Sequence, residues 1–310
     1  MKNLAFIFPG QGSQSLGMGR DFFTSSDLAK DMFAQASARL NIDFEKLLFE
    51  KNDKLGDTRY TQPAILLVSA IALELFKKQY NVSPKFFLGH SLGEFSALYA
   101  SGAIDFLDAL ELVHKRGQFM SEACLDKNAG MMAVLGLDDA NIEKLCLKLR
   151  EENKQIWTAN FNTDGQVVLA GLKKDLENSN ASFIEAGAKK VVVLDMNVAS
   201  HCKLLKPAVG KLEPLLQKFV KDSFSAPIIS NVSTQEYSSK DEAITLLTKQ
   251  LVSPVKYKQS ILKYTDNVDL FIEFGNSLVL KGLNRKIIKT PTFNVSDMKT
   301  LEKIGEKIND

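Results

Sequence analysis

The sequence predicts an α/β fold: a mainly parallel sheet covered by helices on both faces, interrupted by a smaller α+β unit. Three observations predict it. Short, fully apolar runs alternate with helical segments toward both ends of the chain, the pattern of parallel strands buried on both faces. Between about residues 130 and 196 the order changes to β-α-β-β-α-β, the split unit of the ferredoxin-like arrangement. In "FFLGHSLGEFSALYA", residues 86–100, an apolar run passes into a helical run through a serine boxed between Gly89 and Gly93.

Taken in chain order, "LAFIF" (Leu4–Phe8) is an unbroken apolar run ended by Pro9-Gly10 and reads as a buried strand. "SDLAKDMFAQASARL" has helical spacing with Ser26 as its cap. "TQPAILLVSAIALELFKKQY" reads as a helix capped by Thr61, with Pro63 in the first turn, where its missing N–H costs nothing. Being apolar nearly all round, it belongs in the interior. "KFFLG" is a second buried strand, and "LGEFSALYASGA" and "FLDALELVHKRGQFMSEA" are helices separated at Gly102. The middle third then reads "GMMAVLGL" strand, "DDANIEKLCLKLREEN" helix, "IWTANFNTDGQVVLAG" hairpin turning at Asp164-Gly165, "LKKDLENSNASFIEAGA" helix and "KKVVVLDM" strand. From about Asn197 the first pattern resumes: "KLLKPAVGKLEPLLQKF" helix, "PIISNV" strand, "KDEAITLLTKQL" helix, "DLFIEF" strand, then "SLVLKGLNRKI" and "LEKIGEKI" as helices. The expected division is 1–125 with 197–310 for the large unit, and 126–196 for an inserted ferredoxin-like one.

Composition narrows the function classes. The chain has 310 residues, 45% hydrophobic and 25% charged, as in an ordinary globular protein. A net charge of +2 is too small and too dispersed for nucleic-acid binding, though it suits an acidic partner or a phosphate-bearing ligand. No apolar run is long enough for a secretory signal or a membrane span. Cys124, Cys146 and Cys202 form no CxxC pair and no metal-ligand spacing, and a low, odd count points to reduced thiols in the cytoplasm. No metal site and no redox cofactor is expected.

The chemistry centres on Gly89-His90-Ser91-Leu92-Gly93, a G-x-S-x-G nucleophile elbow of the α/β-hydrolase type. The turn is so sharp that residues two before and two after the serine must be small. Ser91 Oγ then stands above the sheet at the positive end of the following helix, and the Leu92 N–H points into the same space. A capping serine would account for Ser91 but not for both glycines. The serine needs a base, and there are three histidines. His90 sits inside the elbow, where a neighbour points away from the nucleophile. His114 lies in a helix and serves only if that helix faces the pocket. His201, in "VASHC", falls where the chain returns from the inserted unit and is favoured. "GQGSQSLGMG", after the first strand, has Ser15 where a dinucleotide fingerprint needs its third glycine. Its reading is a loop offering a backbone N–H beside the serine, with Gln11 the candidate.

Together these segments resemble the malonyl-CoA:acyl carrier protein transacylases of type II fatty acid synthesis. The similar stretches are "FPGQGSQ", "GHSLGE", "RGQFM", "ANFNTDGQVVLAG", "SHCKLLKPA" and "KQLVSPV", in family order across nearly the whole chain. The resemblance implies Ser91 as acyl-carrying nucleophile, His201 as base, Gln11 and Leu92 as oxyanion donors, Arg116 as holder of the malonyl carboxylate, and Gln250 as the residue that orients His201 through its backbone carbonyl. It also implies malonyl-CoA as donor and an acidic, phosphopantetheinylated acyl carrier protein as acceptor. Lys189 and Lys190 are candidates for positive charge at the cleft mouth, although lysines on a solvated strand edge need no partner. Two positions depart from the pattern: Ala199 where the bacterial family commonly has Pro, which bears on malonyl selectivity, and Asn276 where it usually has Pro or Gly, which is expected to alter a loop. The rival readings are a serine esterase or thioesterase, which needs an acidic partner for His201, and a non-catalytic acyl carrier protein binder, which forms no acyl-serine.

Overall fold

In the computed structural model, which describes residues 2–309, ten strands are found among the described residues. They are β1 (Leu4–Phe8), β2 (Phe86–Gly89), β3 (Ala129–Leu135), β4 (Ile156–Thr163), β5 (Gln166–Leu172), β6 (Lys190–Val193), β7 (Ile228–Ile229), β8 (Glu236–Tyr237), β9 (Leu270–Phe274) and β10 (Thr292–Val295). One sheet has the order β10-β9-β1-β2-β7-β8 and is parallel except at its β8 edge. Every residue of β1, β2 and β9 is buried. Alternate side chains enter opposite cores, as the two-residue period of a strand requires. Leu4, Phe6 and Phe8 join the larger core with the helix Thr58–Gln79. Ala5 and Ile7 join the smaller one on the other face, with Tyr257 and Ile261 of the helix Tyr257–Tyr264. Covering both faces explains the apolar runs that lack alternation.

The second sheet, β4-β5-β3-β6, is antiparallel throughout. With the helix Asp139–Glu151 and the pair Lys173–Asn178 and Asn180–Glu185, it has the ferredoxin-like order. The expected α/β sheet and the ferredoxin-like unit are therefore both present. Val255 bonds across the junction: its carbonyl accepts from Phe161 N–H at 2.9 Å and its amide donates to the Ala159 carbonyl at 2.8 Å. Lys258 reaches Asp164 at 2.9 Å and also pairs with Asp139. Lys189 and Lys190 are exposed beside or on β6, an edge strand.

Several elements differ from expectation. The long central helix begins at Thr58, not after Thr61, because the Asp57 side chain caps it by accepting from Arg59 N–H. Pro63 consequently sits beyond the first turn. The helix expected over 172–188 breaks at Ser179, where a Ser/Asn-rich stretch offers local hydrogen bonds that compete with helix continuation. "PIISNV" yields only a two-residue strand, and β10, with two polar residues in four, carries no clean strand signal.

Candidate active site

The pairing of Phe8 with Gly89 sets the loop that follows β1 beside the turn that follows β2, both at the carboxyl edge of the sheet. Ser91 has φ 55° and ψ −107°, a strained conformation worth about 1–3 kcal/mol that the surroundings must hold. Interlocked glycines permit it. A Cβ on Gly89 would strike the Gly93 carbonyl, one on Gly93 the Phe8 carbonyl, and one on Gly10 the His90 carbonyl. Asn231 clamps the corner: its Oδ1 accepts from Ser91 N–H at 2.7 Å and its Nδ2 donates to the Gly89 carbonyl at 2.6 Å. The amides of Leu92 and Gln11, by contrast, have no protein acceptor among the described residues. The Gln11 side chain is held by Thr58, whose hydroxyl donates to its Oε1 at 3.1 Å.

The three histidines occupy three different settings. His201 Nε2 lies 2.7 Å from Ser91 Oγ, and its Nδ1 donates to the Gln250 carbonyl at 2.8 Å. A carbonyl can only accept, so Nδ1 bears the proton and Nε2 offers its lone pair to the serine hydroxyl. The residue is held at φ 61°, left-handed for a non-glycine. Burial, and then the Arg116 charge, push its pKa down to about 3, so the ring is neutral at ordinary pH. His114 instead repairs the long helix. Pro63 has no N–H for the Arg59 carbonyl, and His114 Nδ1 donates there at 2.8 Å, while its Nε2 accepts from Gln118 at 3.0 Å. His90 turns from the serine to Asn162 Oδ1 at 2.8 Å.

Arg116 is 1% exposed. One terminal nitrogen donates to Gln62 Oε1 at 2.7 Å; the other donates to Gln250 Oε1 at 3.0 Å and reaches Ser91 Oγ at 3.3 Å. Nε has no partner, which leaves a buried donor edge beside the serine. Burial lowers its pKa to about 10, still well above neutrality. Gln250 thus serves both His201, through its backbone carbonyl, and Arg116, through its amide oxygen.

Gln11, Ser91, Leu92, Arg116 and His201 line one cavity of about 150 Å³, closed on the other side by Met131, Asn160, Val168 and Leu194 of the antiparallel sheet and its exit. It shares Gln11 and Met196 with a wider groove of about 530 Å³. Ser200 lines the cavity, whereas Ala199 is buried in the large core. Asn276 ties down the opening loop, donating to the Ser13 carbonyl at 2.8 Å and to Ser15 Oγ at 2.9 Å. Among the described residues no cluster of three or more His, Cys, Asp or Glu side chains could hold a metal ion.

Three residues of this arrangement have no role in the sequence reading: Gln62, Asn231 and Glu94. Gln62 lies in the quoted segment that opens the long helix, and Glu94 within the quoted elbow segment. Both are buried polar groups bonded to remote segments, Gln62 to Arg116 and Glu94 to Gln250, as Asn231 is to Ser91.

The family model described as an acyl transferase domain matches residues 5–310. The malonyl CoA-acyl carrier protein transacylase of Bacillus subtilis (strain 168) is 40% identical over 306 residues, covering 97% of this chain and 96% of that protein. The crystal structure of malonyl-CoA:acyl carrier protein transacylase from Helicobacter pylori has a TM-score of 0.96 at 46% identity and covers 100% of this chain and 99% of that one. A malonyl-transacylase solved in complex with its type II PKS acyl-carrier protein has a TM-score of 0.94 at 34% identity, covering 98% of this chain and 99% of that one.

Proposed function

The chain belongs to the acyl transferase domain family, and on that premise we propose the course by which it moves a malonyl group from malonyl-CoA to the phosphopantetheine thiol of acyl carrier protein, supplying fatty acid elongation. The observation that carries the proposal is the line Ser91 Oγ, His201 Nε2, His201 Nδ1, Gln250 carbonyl, with the Arg116 guanidinium against the same serine.

His201 Nε2 takes the Ser91 proton as Oγ attacks the thioester carbonyl. The oxyanion forms where the free amides of Gln11 and Leu92 can donate to it. His201 returns the proton to the departing CoA sulfur, leaving malonyl-Ser91. The acyl carrier protein thiol then attacks this ester by the same steps reversed. Arg116 takes the malonyl carboxylate on its Nε and terminal N–H edge, displacing the long contact to Ser91 Oγ. The wider groove has room for the phosphopantetheine arm, and Lys189 and Lys190 add positive charge on the inserted unit. We take that unit as 126–196 and the large one as 1–125 with 197–310.

A carbonyl, not a carboxylate, stands behind His201, which weighs against the esterase reading. Among the described residues no helix is long and apolar enough to cross a membrane, and the three buried, unbridged cysteines support the cytoplasm as the compartment. The test is incubation with labelled malonyl-CoA and phosphopantetheinylated acyl carrier protein. Label appearing on the carrier supports transfer; label released as free malonate with none on the carrier overturns it.

A further inference from the structure

Glu94 follows the nucleophile by three residues and is wholly buried, and the transfer chemistry above makes no use of it. Its Oε2 accepts from Gln250 Nε2 at 2.7 Å and from Asn231 N–H at 3.2 Å. These bonds fix which way round the Gln250 amide lies. An ionised carboxylate has no proton to give, so the NH₂ end must face it. Protonation on the unpartnered Oε1 leaves Oε2 an acceptor and changes nothing here. The same NH₂ also donates to the Ser91 carbonyl at 3.0 Å. Oε1 of Gln250 is thereby turned the other way, to where Arg116 donates to it at 3.0 Å. A reversed amide would set NH₂ against guanidinium, donor against donor, and the arginine would have to move.

We propose that Glu94 is a positioning residue which, through Gln250, aims Arg116 and so sets the preference for acyl groups ending in a carboxylate. The chain of contacts runs from the Glu94 carboxylate through one amide to the guanidinium and ends at Ser91 Oγ. Glu94 touches neither the nucleophile's hydroxyl nor the space where an acyl group sits. Its loss is therefore read in selectivity rather than in the reactivity of the serine. The inference rests on the malonyl-transfer reading.

The experiment measures kcat/KM for malonyl-CoA and acetyl-CoA in wild type, Glu94→Gln, Glu94→Ala and Glu94→Leu, with folding checked by circular dichroism. Glu94→Ala and Glu94→Leu should lower kcat/KM for malonyl-CoA about tenfold or more, through kcat as well as KM, while acetyl-CoA changes by less than about threefold. Glu94→Gln, which keeps an oxygen for Gln250 and Asn231, should hold the malonyl/acetyl ratio within about threefold of wild type. Equal losses on both substrates, or an unchanged ratio, overturn the proposal. So does failure of Glu94→Ala and Glu94→Leu to fold while Glu94→Gln folds, since that assigns Glu94 to stability alone. Failure of the underlying reading looks different: wild type itself would show no preference for malonyl-CoA.

Discussion

Replacing Arg116 with Ala should reverse the substrate preference, and the structure sets the size of the effect. The guanidinium is buried, charged and unpaired at Nε, next to the Ser91 hydroxyl. A carboxylate on that edge takes two charge-assisted hydrogen bonds, each worth about 1.5–3 kcal/mol. Losing both costs malonyl transfer about 3 kcal/mol at the low end, or about a hundredfold or more in kcat/KM. Acetyl transfer loses nothing of this kind. It gains instead, because the Arg116 charge is, after burial, the leading cause of the low pKa of His201, and without it the base strengthens. Wild type should reject acetyl-CoA because that substrate leaves the buried guanidinium desolvated and unpaired. Arg116→Lys should recover malonyl transfer only in part, since a point charge cannot supply the two-pronged edge. The variants also strand the Gln62 and Gln250 oxygens, at about 1–3 kcal/mol each, so thermal unfolding is followed alongside. The assay is kcat/KM for both CoA esters in wild type and both variants. An unchanged malonyl/acetyl ratio in folded Arg116→Ala would refute the reasoning.

The other predictions concern the histidines and Glu94. His201→Ala should slow formation of the acyl-enzyme by orders of magnitude, whereas His114→Ala should cost about 0.5–1.5 kcal/mol of stability by removing its hydrogen bond to the Arg59 carbonyl and leave acylation nearly intact, as chemical denaturation and stopped-flow acylation can check. Burial pushes the Glu94 carboxyl from 4.5 up to about 7, against the pull of Gln250, Asn231, Tyr237 and Arg116. A raised folded pKa gives stability that is complete below the unfolded value and lost as pH rises through the folded one. The stability of wild type relative to Glu94→Gln should therefore fall by about 2–3 kcal/mol between pH 5 and 8, and a constant difference would contradict the shift.

What could be read from the sequence divides along physical lines. The elbow was legible because its constraints are local: Gly89 and Gly93 collide with backbone if either gains a side chain, so the turn demands that spacing. The buried strands were legible because β1 and β9 have no solvent face and need no alternation. Helix boundaries were less so. Thr61 and Asp57 are both suitable caps by type; the Asp57 side chain takes the cap, and a tertiary contact, His114 donating to the Arg59 carbonyl, serves the group that Pro63 leaves free. The parts of the site that join remote segments left no local pattern. Asn231 reaches Ser91 across 140 positions and Gln250 reaches Glu94 across 156, and no spacing rule in one sequence connects them. A charged residue in an apolar stretch, such as Glu94 between Gly93 and Phe95, is the trace such contacts leave.

Everything proposed for the transfer turns on Ser91 as the carrier of the acyl group. Its most direct measurement is incubation of the protein with labelled malonyl-CoA in the absence of acyl carrier protein, followed by rapid acid quench, digestion and mass analysis of the peptide that holds Ser91. One malonyl group should be esterified to Ser91 in wild type and none in Ser91→Ala, and the label should be discharged when phosphopantetheinylated acyl carrier protein is added before the quench. Label found on any other residue, or transfer to the carrier at wild-type rate by Ser91→Ala, would contradict it.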